Sequence, residues 1–190
     1  MDGAFTKNHR SLKRKPFLTP IWLAAIAAAI VVSFASWLWI TATSTTVIVI
    51  RHAEKASNGG DDPPLDPAGA ARALLLARMF GDAHPPGSLD AIYVSPALRN
   101  RQTAAPLAAR LGISPVVVPA DDPRALARRA LHEHDGGRIL IIGHSDTVPE
   151  IVAALSGQAT IPAIGDSEYG TMYVVTVPRL GRSIVLRLTY

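Results

Sequence analysis

Cysteine is absent from this 190-residue chain, which excludes disulfides, thiolate chemistry and cysteine-ligated metal. Aromatic residues make up only 6%, and the three tryptophans, Trp22, Trp37 and Trp39, all lie in one apolar run. Charge of one sign is also missing from most of the chain. Lys7, Arg10, Lys13, Arg14 and Lys15 stand against Asp2 in the first 20 residues, so the formal net charge of +4 resides there and 14 basic and 14 acidic residues remain downstream. An electroneutral domain without a basic patch and interleaved aromatics removes the basis for a nucleic-acid reading. The glycines form no phosphate-cradling loop, and Ser145 lacks the flanking glycines of a serine-hydrolase elbow. His132 and His134 are two apart on a predicted helix and diverge, while His84 stands in a loop beside Pro85 and Pro86. Neither arrangement has metal-ligand spacing. No metal and no organic cofactor is therefore expected. There is no internal repeat.

One long hydrophobic run is present. Residues 21–40 read IWLAAIAAAIVVSFASWLWI without a charge, and about 20 apolar residues cross a bilayer core as a helix. Trp22 at one end, with Trp37 and Trp39 at the other, suits the two aromatic belts, and only Ser33 and Ser36 interrupt the apolar surface. The lipid bilayer is thus the expected partner of residues 21–40. Basic residues just ahead of an apolar span are retained in the cytoplasm. The expected organisation is a cytoplasmic tail (1–20), a transmembrane signal-anchor helix (21–40), a short linker (41–46) and an exported domain (47–190). A cleavable signal peptide is the competing reading, with a cut after Ser44 and Ala42 at the minus-three position; its apolar core is usually shorter, about 7–15 residues. Six linker residues reach at most about 20 Å, which holds the domain near the membrane.

Downstream, β-branched runs alternate with helical patterns: strand 46–51, helix 67–80, strand 91–94, helix 97–111, strand 115–119, helix 123–134, strand 138–143 and helix 147–156. Such βα repetition argues for an α/β domain in three layers, with a mostly parallel sheet covered on both faces. Two further strands, 172–177 and 183–189, are separated by a connection short enough for a hairpin, which predicts an antiparallel edge. Asp66 with Pro67, and Ser145 or Asp146 ahead of Pro149, supply helix starts. Loops 56–64 and 157–170 lack regular pattern and are candidates for a rim over a site.

The strand patterns place chemistry. His52 follows Arg51 at the end of one strand, and His144 follows Gly143 at the end of another. Ligands of open α/β sheets collect outside the carboxyl ends of strands, so the two histidines are expected to converge on a phosphate-handling site. Ala91-Ile92-Tyr93-Val94 runs into Ser95-Pro96-Ala97-Leu98-Arg99-Asn100-Arg101-Gln102-Thr103-Ala104, which places Arg99 in the first turn of a helix and directs it toward the same ends. In order, Arg51-His52-Ala53-Glu54, the Ser95–Ala104 segment and Gly143-His144-Ser145 resemble the motifs of the histidine phosphatase superfamily, also called the phosphoglycerate-mutase-like family. Leu65-Asp66-Pro67 resembles its first-helix opening. The resemblance covers roughly residues 46–190.

The resemblance implies a phosphatase in which His52 attacks phosphorus and carries a phosphohistidine intermediate. Arg51 and Arg99 would bind phosphate oxygens with fork-shaped charged donors, and His144 would donate opposite the nucleophile. Glu54 and Ser145 are assigned supporting positions behind the reacting groups. Larger relatives take their proton donor from the region after the third strand. Asp121 and Asp122 lie there; Asp121 is the candidate general acid, although both also read as turn and capping residues before Pro123. The expected substrate is a phosphorylated small molecule or a phosphoprotein, bearing a phosphomonoester or phosphoramidate. Two alternatives use the same fold: a catalytically weak scaffold, which would be expected to have lost one of Arg51, His52, Arg99 and His144, and a phosphoglycerate-mutase-type phosphotransferase, which fits poorly with export and a compact domain.

Overall fold

A computed structural model describes residues 21–58, 60–82 and 88–190; the basic tail 1–20, Gly59 and His84 lie outside the described residues. Helix α1 (Ile21–Ala42) contains the span Ile21–Trp39, long and apolar enough to cross a membrane and with no buried residue. It extends two residues past the expected end at Ile40. Strand β1 (Ser44–Arg51) begins two residues earlier than expected, so the linker anticipated over 41–46 reduces to Thr43. The β-branched Thr45 and Thr46 continue the strand instead, opposite Val177 and Thr176.

The remaining elements are α2 (Pro67–Phe80), β2 (Ala91–Val94), α3 (Leu98–Leu111), β3 (Val116–Val117), α4 (Pro123–Glu133), β4 (Arg138–Gly143), α5 (Thr147–Ser156), β5 (Thr171–Pro178) and β6 (Ile184–Thr189). They build a six-stranded sheet in the order β3-β2-β4-β1-β5-β6. The first four are parallel, and β5 and β6 add the antiparallel edge. Strand alternation divides the core in two. Val47, Val49, Tyr93, Ile139 and Ile141 pack with α4 and α5, while Ile48, Ile50, Ile92, Leu140 and Ile142 pack with α2 and α3. A strand buried on both faces has to be apolar throughout, which is why these runs do not alternate with polar residues. The strand expected over 115–119 shrinks to Val116–Val117 because Pro115 and Pro119 bring no N–H to a ladder that has only β2 beside it.

Helix α2 is fastened directly behind the first strand. The Asp66 carboxylate accepts from the Gly69 N–H at 2.7 Å, and the Asp66 N–H donates to the Glu54 carbonyl at 3.1 Å. The close approach requires glycine at 69, where a Cβ would stand 2.2 Å from the Glu54 carbonyl oxygen. The contact is backbone to backbone and cannot be relieved by a rotamer. Gly69→Ala is expected to cost about 2–3 kcal/mol, a fall of roughly 5–10 °C in Tm for a domain of this size, measured by thermal denaturation of the full chain.

Candidate active site

Parallel strands deliver their carboxyl ends to one edge of the sheet. Arg51 closes β1 and His52 follows it, 4% and 3% exposed respectively. The His52 N–H extends the ladder by donating to the Gly143 carbonyl at 3.0 Å. Its ring Nδ1 lies 2.7 Å from the Ala53 carbonyl, an acceptor only, so Nδ1 carries the proton and donates. Nε2 is left with its lone pair, and Arg99 Nε donates to it at 3.2 Å. Burial, foremost, lowers the His52 pKa to about 4, with the Arg99, His144 and Arg51 charges acting in the same direction and the Ala53 bond opposing them. The imidazole is neutral across the physiological range.

His144 follows β4. Its N–H donates to Thr147 Oγ1 at 2.8 Å. Arg99 Nη2 stands 3.4 Å from its Nδ1, and Ser95 Oγ 3.0 Å from its Nε2. Since the guanidinium can only donate, Nδ1 accepts and Nε2–H donates to Ser95. Burial, then Arg99, also lowers this histidine's pKa, against a rise from Asp146. The two rings meet edge to face with centroids 5.4 Å apart. Arg99 therefore bridges both imidazoles from the first turn of α3, and Asp62 lies 3.8 Å from its Nη1.

Local bonds explain this precision. Thr103 Oγ1 accepts from the Ala53 N–H at 3.0 Å and donates to the Arg99 carbonyl at 2.7 Å, tying the turn after His52 to the turn that carries Arg99. Fully buried Asn100 donates to the Ile142 carbonyl at 2.8 Å and pins α3 to the end of β4. Ala97 gives α3 no side-chain cap, and the Asp62 carboxylate from loop 56–64 supplies one by accepting from the Leu98 N–H at 2.9 Å.

Arg51 faces the second irregular loop. Its Nη1 donates to the carbonyls of Gly165, Asp166 and Glu168 at 2.8, 2.9 and 3.3 Å, and its guanidinium carbon lies 4.1 Å from the centre of the Tyr169 ring. Its Nε is buried without a partner among the described residues.

Arg51, His52, Lys55, Arg99, His144, Ser145, Asp146 and Asp166 line an open, polar cleft of about 410 Å³. The fold thus brings together five of the residues named from the sequence. Glu54 turns away to pair with Arg72 through bonds of 2.6–3.0 Å, and this partner lowers its pKa. Asp121 is exposed and is not among the residues lining the cleft, and its neighbour Asp122 caps α4 by accepting from the Ala125 N–H at 2.8 Å. The segment turns there to start a helix instead of reaching over the strand ends. Sequence reasoning assigned no role to Lys55, Asp166 or Tyr169 and read Asp146 only as a cap. Ser95 and Thr103 lay inside a quoted motif, which was the available signal for them. Among the described residues no group of three His, Cys, Asp or Glu is disposed to hold a metal ion.

A model of the histidine phosphatase superfamily (branch 1) matches residues 47–121. No curated protein sequence matches the chain. Among solved structures, the protein histidine phosphatase SixA complexed with tungstate is similar at a TM-score of 0.60 and 20% identity, over 76% of this chain and 96% of that one. A mycobacterial glucosyl-3-phosphoglycerate phosphatase gives 0.59 and 15%, over 75% and 97%, and mycobacterial hydrolase 1 gives 0.60 and 14%, over 77% and 99%. At these identities the likeness is one of fold.

Proposed function

We propose that the chain, whose residues 47–121 match the histidine phosphatase superfamily, is a phosphatase of that superfamily and hydrolyses a phosphomonoester or phosphoramidate through a phosphohistidine on His52. The observation that carries this reading is the state of the His52 ring: Nδ1 is committed to the Ala53 carbonyl, which leaves a neutral Nε2 lone pair directed at Arg99. In the reaction Arg99 exchanges the imidazoles for phosphoryl oxygens. Nε2 attacks phosphorus as the bond to the leaving group breaks, and the leaving group departs with the electron pair and takes up a proton. Arg51 and Arg99 balance the charge on the equatorial oxygens, and neutral His144 offers its one ring N–H there in exchange for Ser95. Water then opens the P–N bond, releasing inorganic phosphate and neutral His52.

A phosphoramidate, whose nitrogen leaves readily once protonated, suits a cleft that Asp121 does not line; the carboxylates present are Asp146 and Asp166. Solved relatives by fold include one acting on protein histidine phosphate and one on a sugar-linked phosphate, and both classes fit an open polar cleft. Brief reaction with labelled substrate, quenched without acid and digested, is expected to place label on the peptide containing His52. Label on a serine would overturn the mechanism.

Helix α1 anchors the enzyme with its N-terminus in the cytoplasm and the domain exported. The support is the run of five basic residues before an uncharged span. A reporter active only outside the cytoplasm, fused after Tyr190, is expected to be active, with the full-length chain in the membrane fraction. A shortened soluble product would instead mark cleavage near Ser44.

A further inference from the structure

The sheet edge opposite the cleft carries a surface that the chemistry does not use. β1 begins there at Ser44, whose register partner is Pro178, the last residue of β5. The turn Arg179-Leu180-Gly181-Arg182-Ser183 follows and leads into β6. Leu180 at its tip is 63% exposed, and Ile184, which opens β6, is 69% exposed. Turns are ordinarily built from polar residues, glycine and proline, so an apolar tip between two arginines is unusual; Gly181, at φ +109, makes the turn itself. Arg179 pairs with Asp135 at 2.5 Å. Arg182 is exposed and has no partner among the described residues. A groove runs from Arg182 and Ser183 past Gly157 and Gln158 to Arg124 and Arg128 on α4, as two adjoining hollows of about 600 and 410 Å³.

Chain connectivity identifies the occupant. α1 ends at Ala42 and β1 begins at Ser44, two steps of about 3.8 Å each. Paired residues of antiparallel strands lie about 5 Å apart, and two more steps lead from Pro178 to Leu180. Leu180 is therefore within about 20 Å of the last residue of α1, whatever direction the helix takes. If α1 spans a bilayer, the headgroup layer at its end lies within that reach of the turn. An apolar tip flanked by cations matches that layer, because the side chain enters the acyl boundary while the guanidinium groups meet lipid phosphates.

We propose that the β5–β6 turn is a second membrane contact, with Leu180 and Ile184 in the interfacial layer and Arg182, backed by the Arg124 and Arg128 groove, on anionic lipid phosphates. It rests on the reading of α1 as an anchor. The eight residues of β1, at about 3.3 Å each, then hold the cleft some 26 Å from the lipid-facing end of the sheet. The substrate class that follows is a soluble or protein-borne phosphate rather than a headgroup of the same membrane.

The absence of cysteine allows single labels on the full-length chain. An environment-sensitive fluorophore is placed at Ile184→Cys, at Asn58→Cys in the loop after β1, or at Ile30→Cys within α1, in phosphatidylcholine vesicles with and without phosphatidylglycerol. The label at 184 is expected to be quenched by a lipid-borne nitroxide, several-fold more than the label at 58, and more strongly with phosphatidylglycerol. Leu180→Ser should reduce that quenching, and Arg182→Glu should abolish its dependence on phosphatidylglycerol. Equal aqueous accessibility at 184 and 58, with the label at 30 quenched, would overturn the second contact while leaving the anchor intact. An unquenched label at 30 would overturn the anchor itself, and the contact with it.

Discussion

Replacement of His52 by alanine is expected to lower turnover at least 10⁴-fold, about 5.4 kcal/mol of transition-state stabilisation. Among the described residues no second nucleophile occupies the same place: His144, the other imidazole on the cleft, has Nδ1 facing Arg99 and Nε2 facing Ser95. The fold should survive, because among the described residues the ring bonds only to the Ala53 carbonyl and to Arg99. Steady-state rates on an aryl phosphate, with circular dichroism of the same samples, separate the two effects. A folded variant retaining wild-type turnover would refute the nucleophile assignment. Stability gives an independent readout. With a pKa near 4 in the native chain against 6.5 as the ordinary value, His52 takes up a proton in the unfolded chain first as the solution is acidified. Its contribution to stability is complete above about pH 6.5 and is lost as pH falls toward 4. The alanine variant should lack that part of the acid sensitivity in thermal melts recorded between these limits.

Arg99→Ala should cost about 10³-fold in kcat/KM, or roughly 4 kcal/mol, the upper range for removing one preorganised donor from a transition state. One guanidinium bonds both imidazoles through Nε and Nη2, so its removal loosens the nucleophile and the opposing donor together. The pH profile distinguishes this from simple misfolding. In the wild type, kcat/KM should hold as pH falls and decline only near 4, where Nε2 of free His52 becomes protonated. Arg99 is one of the charges keeping that pKa low; without it the acidic limb should move upward, though not fully to 6.5, because burial is the larger cause. Arg99→Lys provides the internal comparison. A lysine restores the charge and with it the low acidic limb, but one ammonium cannot span both ring nitrogens, so the rate should recover only in part. An unchanged limb in Arg99→Ala would show that the guanidinium does not act on His52.

The elements of this fold were legible because their signals are local. Val47–Ile50 and Ile139–Ile142 are buried on both faces and read as continuous apolar runs; Asp66 and Pro67 mark a helix start within four residues. The two histidines and Arg99 were legible for a related reason: each sits at the boundary of a periodic segment, and parallel strands bring such boundaries to one edge. Boundaries shifted where proline withheld a donor, as at β3, and where helix and strand propensity consumed the linker at residues 41–46.

The sequence by itself determined the layering, the parallel core with its antiparallel edge, and which strand ends carry Arg51, His52 and His144, since hydrophobic periodicity and turn chemistry depend on neighbours a few residues away. Only the tertiary structure decided that Asp62 caps α3, that Asp166 rather than Asp121 lines the cleft, and that Tyr169 stacks on Arg51. These residues lie in irregular segments, where no period fixes direction and position is set by whatever the loop packs against. The neutral state of His52 is of the same kind. It arises from burial and from Arg99, His144 and Arg51, which together outweigh the opposing Ala53 carbonyl; Arg99 and His144 stand 47 and 92 positions distant in the chain, and electrostatic environment is a property of distance in space rather than distance along the sequence.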